Sequence, residues 1–145
     1  MATKAEPELL IGELAERVGL DPKTIRYYEH VGLLEAPARS ESGYRLYQDS
    51  DAERLRFIRS VKRLGFSLGE IREILVLRDQ GAAPCGYVAE RLDLRAREVD
   101  YEIRELRRLK AELRRLRLRA RRLGADIPPP GGYCHILESK ASPER

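Results

Sequence analysis

Residues 11–47 read IGELAERVGLDPKTIRYYEHVGLLEAPARSESGYRLY, and this stretch decides the fold of the first half of the chain. Apolar residues at helical spacing predict a first helix over 10–18 that ends before Gly19. Asp21 and Pro22 predict the start of a second helix, because aspartate at the N-cap accepts backbone N–H groups and proline suits the first helical position. Two short helices joined by a tight turn predict a helix-turn-helix, whose second helix enters the major groove of DNA.

A hairpin of the kind called a wing is expected after the second helix. Residues 33–35 and 44–47 are short extended runs on either side of the polar, glycine-tipped segment 40–43. The second helix and the wing carry side chains that can read base edges or hold phosphates. The candidate DNA contacts are Lys23, Thr24, Arg26, Tyr27, Arg39, Tyr44, Arg45 and Tyr47. Ordinary surface charges are the alternative, but the helix-turn-helix pattern around them is complete.

Two further amphipathic helices are predicted over 49–64 and 67–77, the second capped by Ser67. The side of the first that should face the core carries Leu55, Phe57, Ile58, Val61 and Leu64. We therefore expect a loose leader over 1–8 and a DNA-binding head over 9–80 that includes these linker helices.

One long helix is predicted from Cys85 to Leu123, within a coiled-coil segment over 84–124. Its apolar residues recur in steps of three and four, and two steps of three adjoin at Leu106. This seam consists of Leu92, Ala96, Val99, Ile103, Leu106, Leu109, Leu113, Leu116, Ala120 and Leu123. A helix with one narrow apolar stripe needs a partner, so we expect a homodimer, antiparallel or parallel.

The cysteines suggest a second functional site, in the effector loop and tail predicted over 125–145. Cys85 begins the long helix and Cys134 follows its far end, so in one chain they would be about 60 Å apart by helix rise. An antiparallel dimer would bring Cys134 of one copy against Cys85 of the other. Two thiols suit a thiophilic divalent metal such as zinc, cadmium, mercury or lead, with Asp126 and His135 as further ligands. Inert buried thiols are the alternative.

Other classes of protein have little support from the sequence. It contains no phosphate-binding loop, nucleophile elbow or paired-histidine motif, so we do not expect an enzyme. No apolar run is long enough to span a membrane, and two cysteines are too few for a secreted disulfide scaffold, so we expect a cytoplasmic protein. The basic surplus lies in the long helix: residues 1–80 hold 13 Lys and Arg against 14 Asp and Glu, and residues 84–124 hold 13 against 7. Individual positions, rather than net charge, must therefore identify the DNA-binding surface.

Several motifs resemble those of the mercury-resistance regulator (MerR) family of bacterial transcription factors. The likeness covers about residues 9–138 and is carried by Ile25-Arg26-Tyr27-Tyr28-Glu29, Gly32-Leu33-Leu34, Arg39, Gly43-Tyr44-Arg45, Tyr47, 61–68 and the tail around Cys134. The resemblance implies a mainly α fold: a winged helix-turn-helix head, a two-helix linker and a long antiparallel coiled-coil dimerisation helix. It also implies binding to a palindromic promoter with an overlong spacer, which the effector-bound form bends and untwists for RNA polymerase.

The resemblance bears on the effector as well. A cysteine where Cys85 stands is similar to the divalent-metal branch of the family. Metal-sensing members usually have another loop cysteine near the position of Asp126, and its absence here disfavours a three-thiolate site and favours a mixed site suited to zinc. Two other functions stay open: a thiol-based redox or electrophile sensor of the same fold, and a coiled-coil assembly protein that does not bind DNA.

Overall fold

A computed structural model describes residues 7–123 and 131–138 of the chain. These residues form helices α1 (Ile11–Val18), α2 (Pro22–His30), α3 (Asp49–Arg63), α4 (Leu68–Asp79) and α5 (Cys85–Leu123), with strands β1 (Ala38–Arg39) and β2 (Arg45–Leu46) between α2 and α3. The chain divides into two compact units, Met1–Arg95 and Ala96–Arg145. Helix α5 contributes to both.

The turn between α1 and α2 is built as the sequence predicts. Gly19 ends α1 with φ of 67°, a left-handed conformation that suits glycine. The Asp21 carboxylate caps α2 by accepting a hydrogen bond of 2.8 Å from the Lys23 amide. From α3, the Arg59 guanidinium donates to the Val18 carbonyl at 2.8 Å and satisfies an acceptor at the end of α1. The helix-turn-helix is therefore fixed both by its own caps and by α3.

The wing begins later in the chain than predicted. Strand β1 pairs antiparallel with β2, with Ala38 opposite Leu46 and Arg39 opposite Arg45. The predicted strand over 33–35 was wrong, because this apolar segment is a buried turn rather than an extended run. The amides of Leu33 and Leu34 both donate to the carbonyl of Tyr28, so this segment closes the end of α2.

The core of the first unit lies between α1, α2, α3 and α4. Helix α3 contributes Ala52, Leu55, Ile58 and Val61, which recur every three residues on one face. The expectation that Phe57 and Leu64 point inward was wrong. Phe57 lies off that face and is 39% exposed, and Leu64 lies just past the helix end and is 54% exposed. Phe66, which the prediction missed, is buried after the turn.

Arg54 joins three parts of the head. Its Nε donates to the Leu33 carbonyl at 2.7 Å, and its two terminal nitrogens donate to the two Asp79 carboxylate oxygens, each at 3.0 Å. This fork is the geometry in which arginine binds carboxylate best. The hydrogen bonds from Arg54 hold the pKa of Asp79 below its ordinary value. Arg54 thereby links the turn after α2 to the end of α4.

Helix α4 begins as predicted and α5 has the predicted bounds. Ser67 and Glu70 form a capping box at the start of α4, each side chain accepting from the other residue's amide at 3.1 Å. Tyr87 and Val88, in the first turns of α5, pack against the core of the head. The boundary between the two compact units therefore falls within α5, after Arg95, whereas the sequence suggested one near residues 80–84.

Candidate nucleic-acid interface and metal ligands

The start of α2 presents polar side chains to solvent. Ile25 and Tyr28 are buried and anchor the helix in the core. The opposite face carries Lys23, Arg26 and Tyr27, all exposed, while Thr24 is half-buried. Tyr27 is 52% exposed, which is unusual for a large aromatic side chain and leaves its hydroxyl available to a ligand. Four of the sequence-predicted DNA contacts are thus brought together on one helix.

The wing holds two more of the predicted contacts at its tip. Gly43 adopts φ of 85° and turns the chain, and the Tyr44 amide donates to the Ser40 hydroxyl at 3.1 Å. The Arg39 guanidinium donates to the Gly43 carbonyl at 2.9 Å, so Arg39 stiffens the tip as well as charging it. Tyr44 is 66% exposed. A stiff tip with an exposed tyrosine and an arginine is suited to contacting a phosphate backbone.

Tyr47 does not belong to this surface. Its side chain is fully buried, and its hydroxyl donates to the Glu29 carboxylate at 3.1 Å. Burial, helped by that hydrogen bond, raises the pKa of Tyr47 to about 12. The predicted DNA contact by Tyr47 was wrong, because no part of the side chain reaches solvent. Its role is to hold the wing against α2.

Arg45 contacts Glu29 within the head and is also partly exposed to solvent. Its Nε is 3.4 Å from the other Glu29 carboxylate oxygen, and its side chain is 35% exposed. Glu29 therefore neutralises part of the charge that Arg45 would offer to a phosphate. Sequence reasoning missed this link, although an acidic residue at the end of a helix otherwise rich in donors was the available signal. Arg45 both fixes the wing and keeps some access to solvent.

The chain before α1 also supports the wing. Leu9 and Tyr47 exchange backbone hydrogen bonds, 2.7 Å from the Leu9 amide and 2.8 Å from the Tyr47 amide. Leu9 is buried beside the core. Leu9, the first residue after the predicted leader over 1–8, therefore forms a β-bridge to the residue that follows β2.

Three of the four candidate metal ligands, Cys85, Cys134 and His135, lie within the described residues. Cys85 is exposed in the first turn of α5, and Cys134 is half-buried; both are free thiols. His135 follows Cys134 directly in a turn, and Asp126 lies outside the described residues. Across residues 7–123 and 131–138, no three His, Cys, Asp or Glu side chains of one chain come together as a metal site.

Most of the seam of α5 is exposed to solvent. The helix buries no residue, and Leu106 is 64% and Leu113 56% exposed. Leu92, Val99, Ile103, Leu109 and Leu123 are also exposed, while Leu116 is half-buried. An apolar stripe of this length is the surface that a coiled-coil partner covers.

Comparison with known proteins identifies the family. The family described as "MerR HTH family regulatory protein" matches residues 9–76, and "MerR, DNA binding" matches residues 52–116. The mercuric resistance operon regulatory protein of Bacillus cereus is 40% identical over 93 residues, which are 64% of this chain and 70% of that protein. The chain belongs to the MerR family. The mainly α fold, the winged helix-turn-helix head and the long C-terminal helix expected from the resemblance are confirmed.

Two solved MerR-family structures extend the comparison. The regulator PbrR691 of Ralstonia metallidurans CH34, in complex with lead(II), is 41% identical with a TM-score of 0.67, covering 75% of this chain and 85% of that one. HiNmlR, a MerR family regulator lacking the sensor domain, bound to promoter DNA, is 25% identical with a TM-score of 0.55, covering 84% and 98%. This MerR-family chain is a DNA-binding transcription regulator, and such regulators are dimers rather than enzymes. Within the described residues, no helix is long and apolar enough to cross a membrane.

Proposed function

We propose that the protein is a metal-responsive regulator that binds a palindromic promoter as a homodimer. When the effector binds, the head distorts the overlong spacer between the promoter elements so that RNA polymerase engages both. The effector is a divalent thiophilic ion, with zinc favoured and cadmium, mercury and lead as ions of related softness. The protein acts in the cytoplasm, where its two thiols stay reduced.

The metal proposal is supported by the exposure of Cys85 and by the adjacent positions of Cys134 and His135. Cys85 is an exposed free thiol in the first turn of α5, so its sulfur is accessible to a metal ion. Cys134 and His135 are consecutive in a turn that two hydrogen bonds close, one from the Glu138 amide to the Cys134 carbonyl at 2.9 Å and one from the Tyr133 amide to the Glu138 carboxylate at 2.8 Å. The turn therefore presents a thiol and an imidazole from adjacent positions.

The donor set suits zinc in number and type. Two thiolates, one imidazole and one carboxylate make the four-coordinate nitrogen, sulfur and oxygen shell that zinc prefers. We assign Cys134, His135 and Asp126 to one protomer and Cys85 to its partner. A divalent ion bound there would supply a link between the two protomers. Cys85 stands three residues before Val88, which packs against the core of the head. A displacement of Cys85 on metal binding would therefore be transmitted to the head through the first turn of α5.

Mixed dimers test the assignment of ligands to two protomers. Cys85→Ser and Cys134→Ser homodimers should each lose tight Zn²⁺ binding, measured by native mass spectrometry with a chelated control. A heterodimer of one chain of each variant keeps one complete Cys85 and Cys134 pair only if the two come from different protomers. We expect it to bind one Zn²⁺ tightly. A heterodimer that binds none, while the wild type binds two, would overturn the assignment.

The proposed DNA contacts are tested separately from the metal. The probe is a duplex selected from a random pool by the wild-type protein, and binding is measured by fluorescence anisotropy over a range of salt concentrations. Arg26→Ala should weaken binding by about tenfold or more, because an arginine contact to a base or phosphate contributes about 1–3 kcal/mol. Tyr44→Ala should weaken it less, and Arg104→Ala on α5 is the matched control. Equal losses for Arg26 and Arg104 would contradict the assignment.

A thiol-based redox or electrophile sensor is the second candidate, favoured by the exposure of Cys85. Transcription from the selected promoter, with chelator present throughout, distinguishes the two. Oxidant-dependent output under those conditions supports the redox function, and output that needs Zn²⁺ and ignores oxidant supports the metal function.

A further inference from the structure

The basic surplus of helix α5 is concentrated in its second half and recurs at a fixed interval. Residues 107–122 carry nine Lys and Arg against one Glu, whereas residues 84–106 carry four against six. Within this stretch the dipeptide Arg-Arg occurs three times, at intervals of seven residues. These six residues, which we call the arginine stripe, are Arg107, Arg108, Arg114, Arg115, Arg121 and Arg122.

The stripe lies on the side of α5 opposite the seam. Seven residues make about two turns of an α-helix, so the three arginine pairs follow one another along the same side of the helix. At about 100° per residue, the centre of the stripe is about 180° around the helix from the centre of the seam over residues 106–123. A helix that covers the seam, in either orientation, therefore leaves the stripe in contact with solvent.

The charge of the stripe is largely uncompensated within the chain. All six side chains are exposed. Arg107, Arg114 and Arg121 have no Asp or Glu three or four positions away, the spacing at which ion pairs form on a helix. Across residues 7–123 and 131–138 the stripe forms one ion pair, from Arg108 to Glu105 at 3.0 Å, and the Arg108 side chain is still 78% exposed. Most of these guanidinium groups are therefore available to an anion.

The first half of α5 carries balanced charge on the same side. Arg97 and Arg104 lie there, and each is followed directly by a glutamate. In the stripe a second arginine stands in place of that glutamate. Like charges four positions apart, such as Arg115 and Arg119, destabilise a helix. A surface that only keeps the helix soluble is expected to mix the two signs, as residues 96–105 do.

We infer that the arginine stripe binds the phosphates of duplex DNA without reading the base sequence. The three pairs extend over about 22 Å of helix axis, and the same length of duplex carries about 13 phosphate charges. Guanidinium groups can donate two parallel hydrogen bonds to one phosphate. The head provides the surface that reads sequence. The stripe is a second surface, which lies entirely within the unit Ala96–Arg145.

The composition of the stripe favours DNA over an acidic protein as the partner. The core of a protein interface is depleted of charged residues and enriched in aromatic residues. The residues that lie between the arginine pairs on this side are Ala111 and Leu118, and Leu118 is the one large apolar side chain among them, 53% exposed. A partner that neutralises six guanidinium groups and contacts little apolar surface is a polyanion. DNA is the polyanion that a regulator of this family binds.

The salt dependence of DNA binding tests the stripe in the full-length dimer. The variant Arg114→Gln, Arg115→Gln is compared with the wild type by fluorescence anisotropy, without added metal. The probes are the duplex selected by the wild-type protein and a duplex of random sequence. Each lost phosphate contact should lower the slope of log affinity against log salt concentration by about 1. A dimer of this variant lacks four guanidinium groups, so we expect the slope to fall by about 2–4.

The loss of affinity should be the same for both duplexes, because phosphates carry no sequence information. We expect it to be about tenfold in low salt. The matched control is Arg97→Gln, Arg104→Gln, which removes the same charge from the same side of α5 and should change the slope by less than about 1. Equal falls of the slope in the two variants would indicate a general effect of net charge and overturn the inference.

A conservative variant separates charge from folding. Arg114→Lys, Arg115→Lys retains the positive charges and should keep most of the slope. Sedimentation equilibrium and circular dichroism should give the wild-type dimer and helix content for each variant, because the stripe lies opposite the seam. Arg107→Gln, Arg108→Gln provides a second pair at which the fall of the slope should recur.

Three further outcomes would overturn the inference. Unchanged affinity and slope would show that the stripe is only a solvated surface. Unchanged DNA binding with weaker retention of RNA polymerase on the selected promoter, measured by band shift, would indicate an acidic protein as the partner. A loss confined to the selected duplex would place the effect in the sequence-reading heads.

Discussion

The head buries its apolar residues within one chain, whereas helix α5 leaves its apolar residues unburied. In the described part of the chain, all fully buried apolar side chains lie between Leu9 and Leu75, and α5 buries none along its 39 residues. The head completes its core within one chain. Helix α5 has an equally regular apolar pattern, but only a second chain can cover it. The DNA-reading surface therefore depends on intramolecular packing, and the dimer depends on protein concentration.

This difference makes stability and function separable. A change in the head core should alter folding of the head at any concentration, whereas a change in the seam should alter association first. Each half of a palindromic site is read by one head, so loss of the dimer removes DNA affinity without unfolding the head. The following predictions test this separation, from the largest effect to the smallest.

Shortening one core side chain should have the largest effect. Ile58 is fully buried, and Ile58→Ala should lower the free energy of unfolding of the head by about 2–5 kcal/mol, independent of protein concentration. Leu113→Ala should instead weaken dimerisation, so its effect on the loss of helical signal in urea should depend on protein concentration. Urea denaturation followed by circular dichroism at two concentrations measures both, with Phe57→Ala as a control on the same helix as Ile58. A concentration-independent effect of Leu113→Ala would contradict the comparison.

Replacing Arg54 tests how much its hydrogen bonds to Leu33 and Asp79 stabilise the head. Arg54→Met should destabilise the head by about 1–3 kcal/mol, since the buried turn at Leu33 loses a hydrogen-bond donor. The ion pair itself contributes less, because the Asp79 side chain is 46% exposed. Arg78→Met is the matched control, since Arg78 contacts the same carboxylate but is 69% exposed. Equal losses in the two variants would show that the ion pair, and not the Leu33 carbonyl, matters.

Tyr47→Phe should have a smaller effect, and its stability deficit relative to the wild type should shrink as pH rises above 10.0. Loss of the hydrogen bond to Glu29 should cost about 1 kcal/mol at neutral pH. The pKa of Tyr47 is raised from 10.0 to about 12 in the folded chain, so unfolding releases a proton between these values and the wild type loses stability as pH rises through them. The variant should lose less stability over that range, with the rest arising from Tyr28, whose pKa burial also raises. An unchanged alkaline slope would contradict the assignment.

Acid should produce the smallest effect. The Arg54 hydrogen bonds lower the pKa of Asp79, so the associated stability is present above the ordinary carboxyl range and disappears as pH falls through the lowered value. Asp79→Asn should therefore flatten the acid limb of the stability curve slightly. Urea midpoints measured from pH 6 to pH 2.5 check this expectation. A variant that follows the wild type throughout would show that Asp79 does not contribute.

Local signals made the helices predictable. Asp21, Ser67 and Gly19 fix helix ends through bonds within a few residues, so their effect can be read directly from the sequence. The wing strand was misplaced because an apolar pair such as Leu33 and Leu34 is compatible with a strand or with a buried turn. Only the tertiary hydrogen bonds to Tyr28 decide between them.

The candidate site was only partly predictable for a related reason. Tyrosines beside arginines in a wing indicate phosphate contacts, and Tyr44 is placed as such a contact would be. Tyr47, three residues later, faces the core, because its environment depends on Glu29 and Leu9, which are distant in sequence. The metal donors could be named by residue type. The site proposed for them, however, requires a second chain and Asp126, which lies outside the described residues.

The backbone pairing of Leu9 with Tyr47 has a practical consequence for work on this protein. Tyr47 lies three residues after Tyr44, the exposed tyrosine of the wing that is proposed to contact DNA. A group joined directly before Leu9 would therefore be attached beside the wing. An affinity tag or fluorescent reporter joined there would compete with DNA for the same space, and a short neutral linker before Leu9 should be the minimum separation between them.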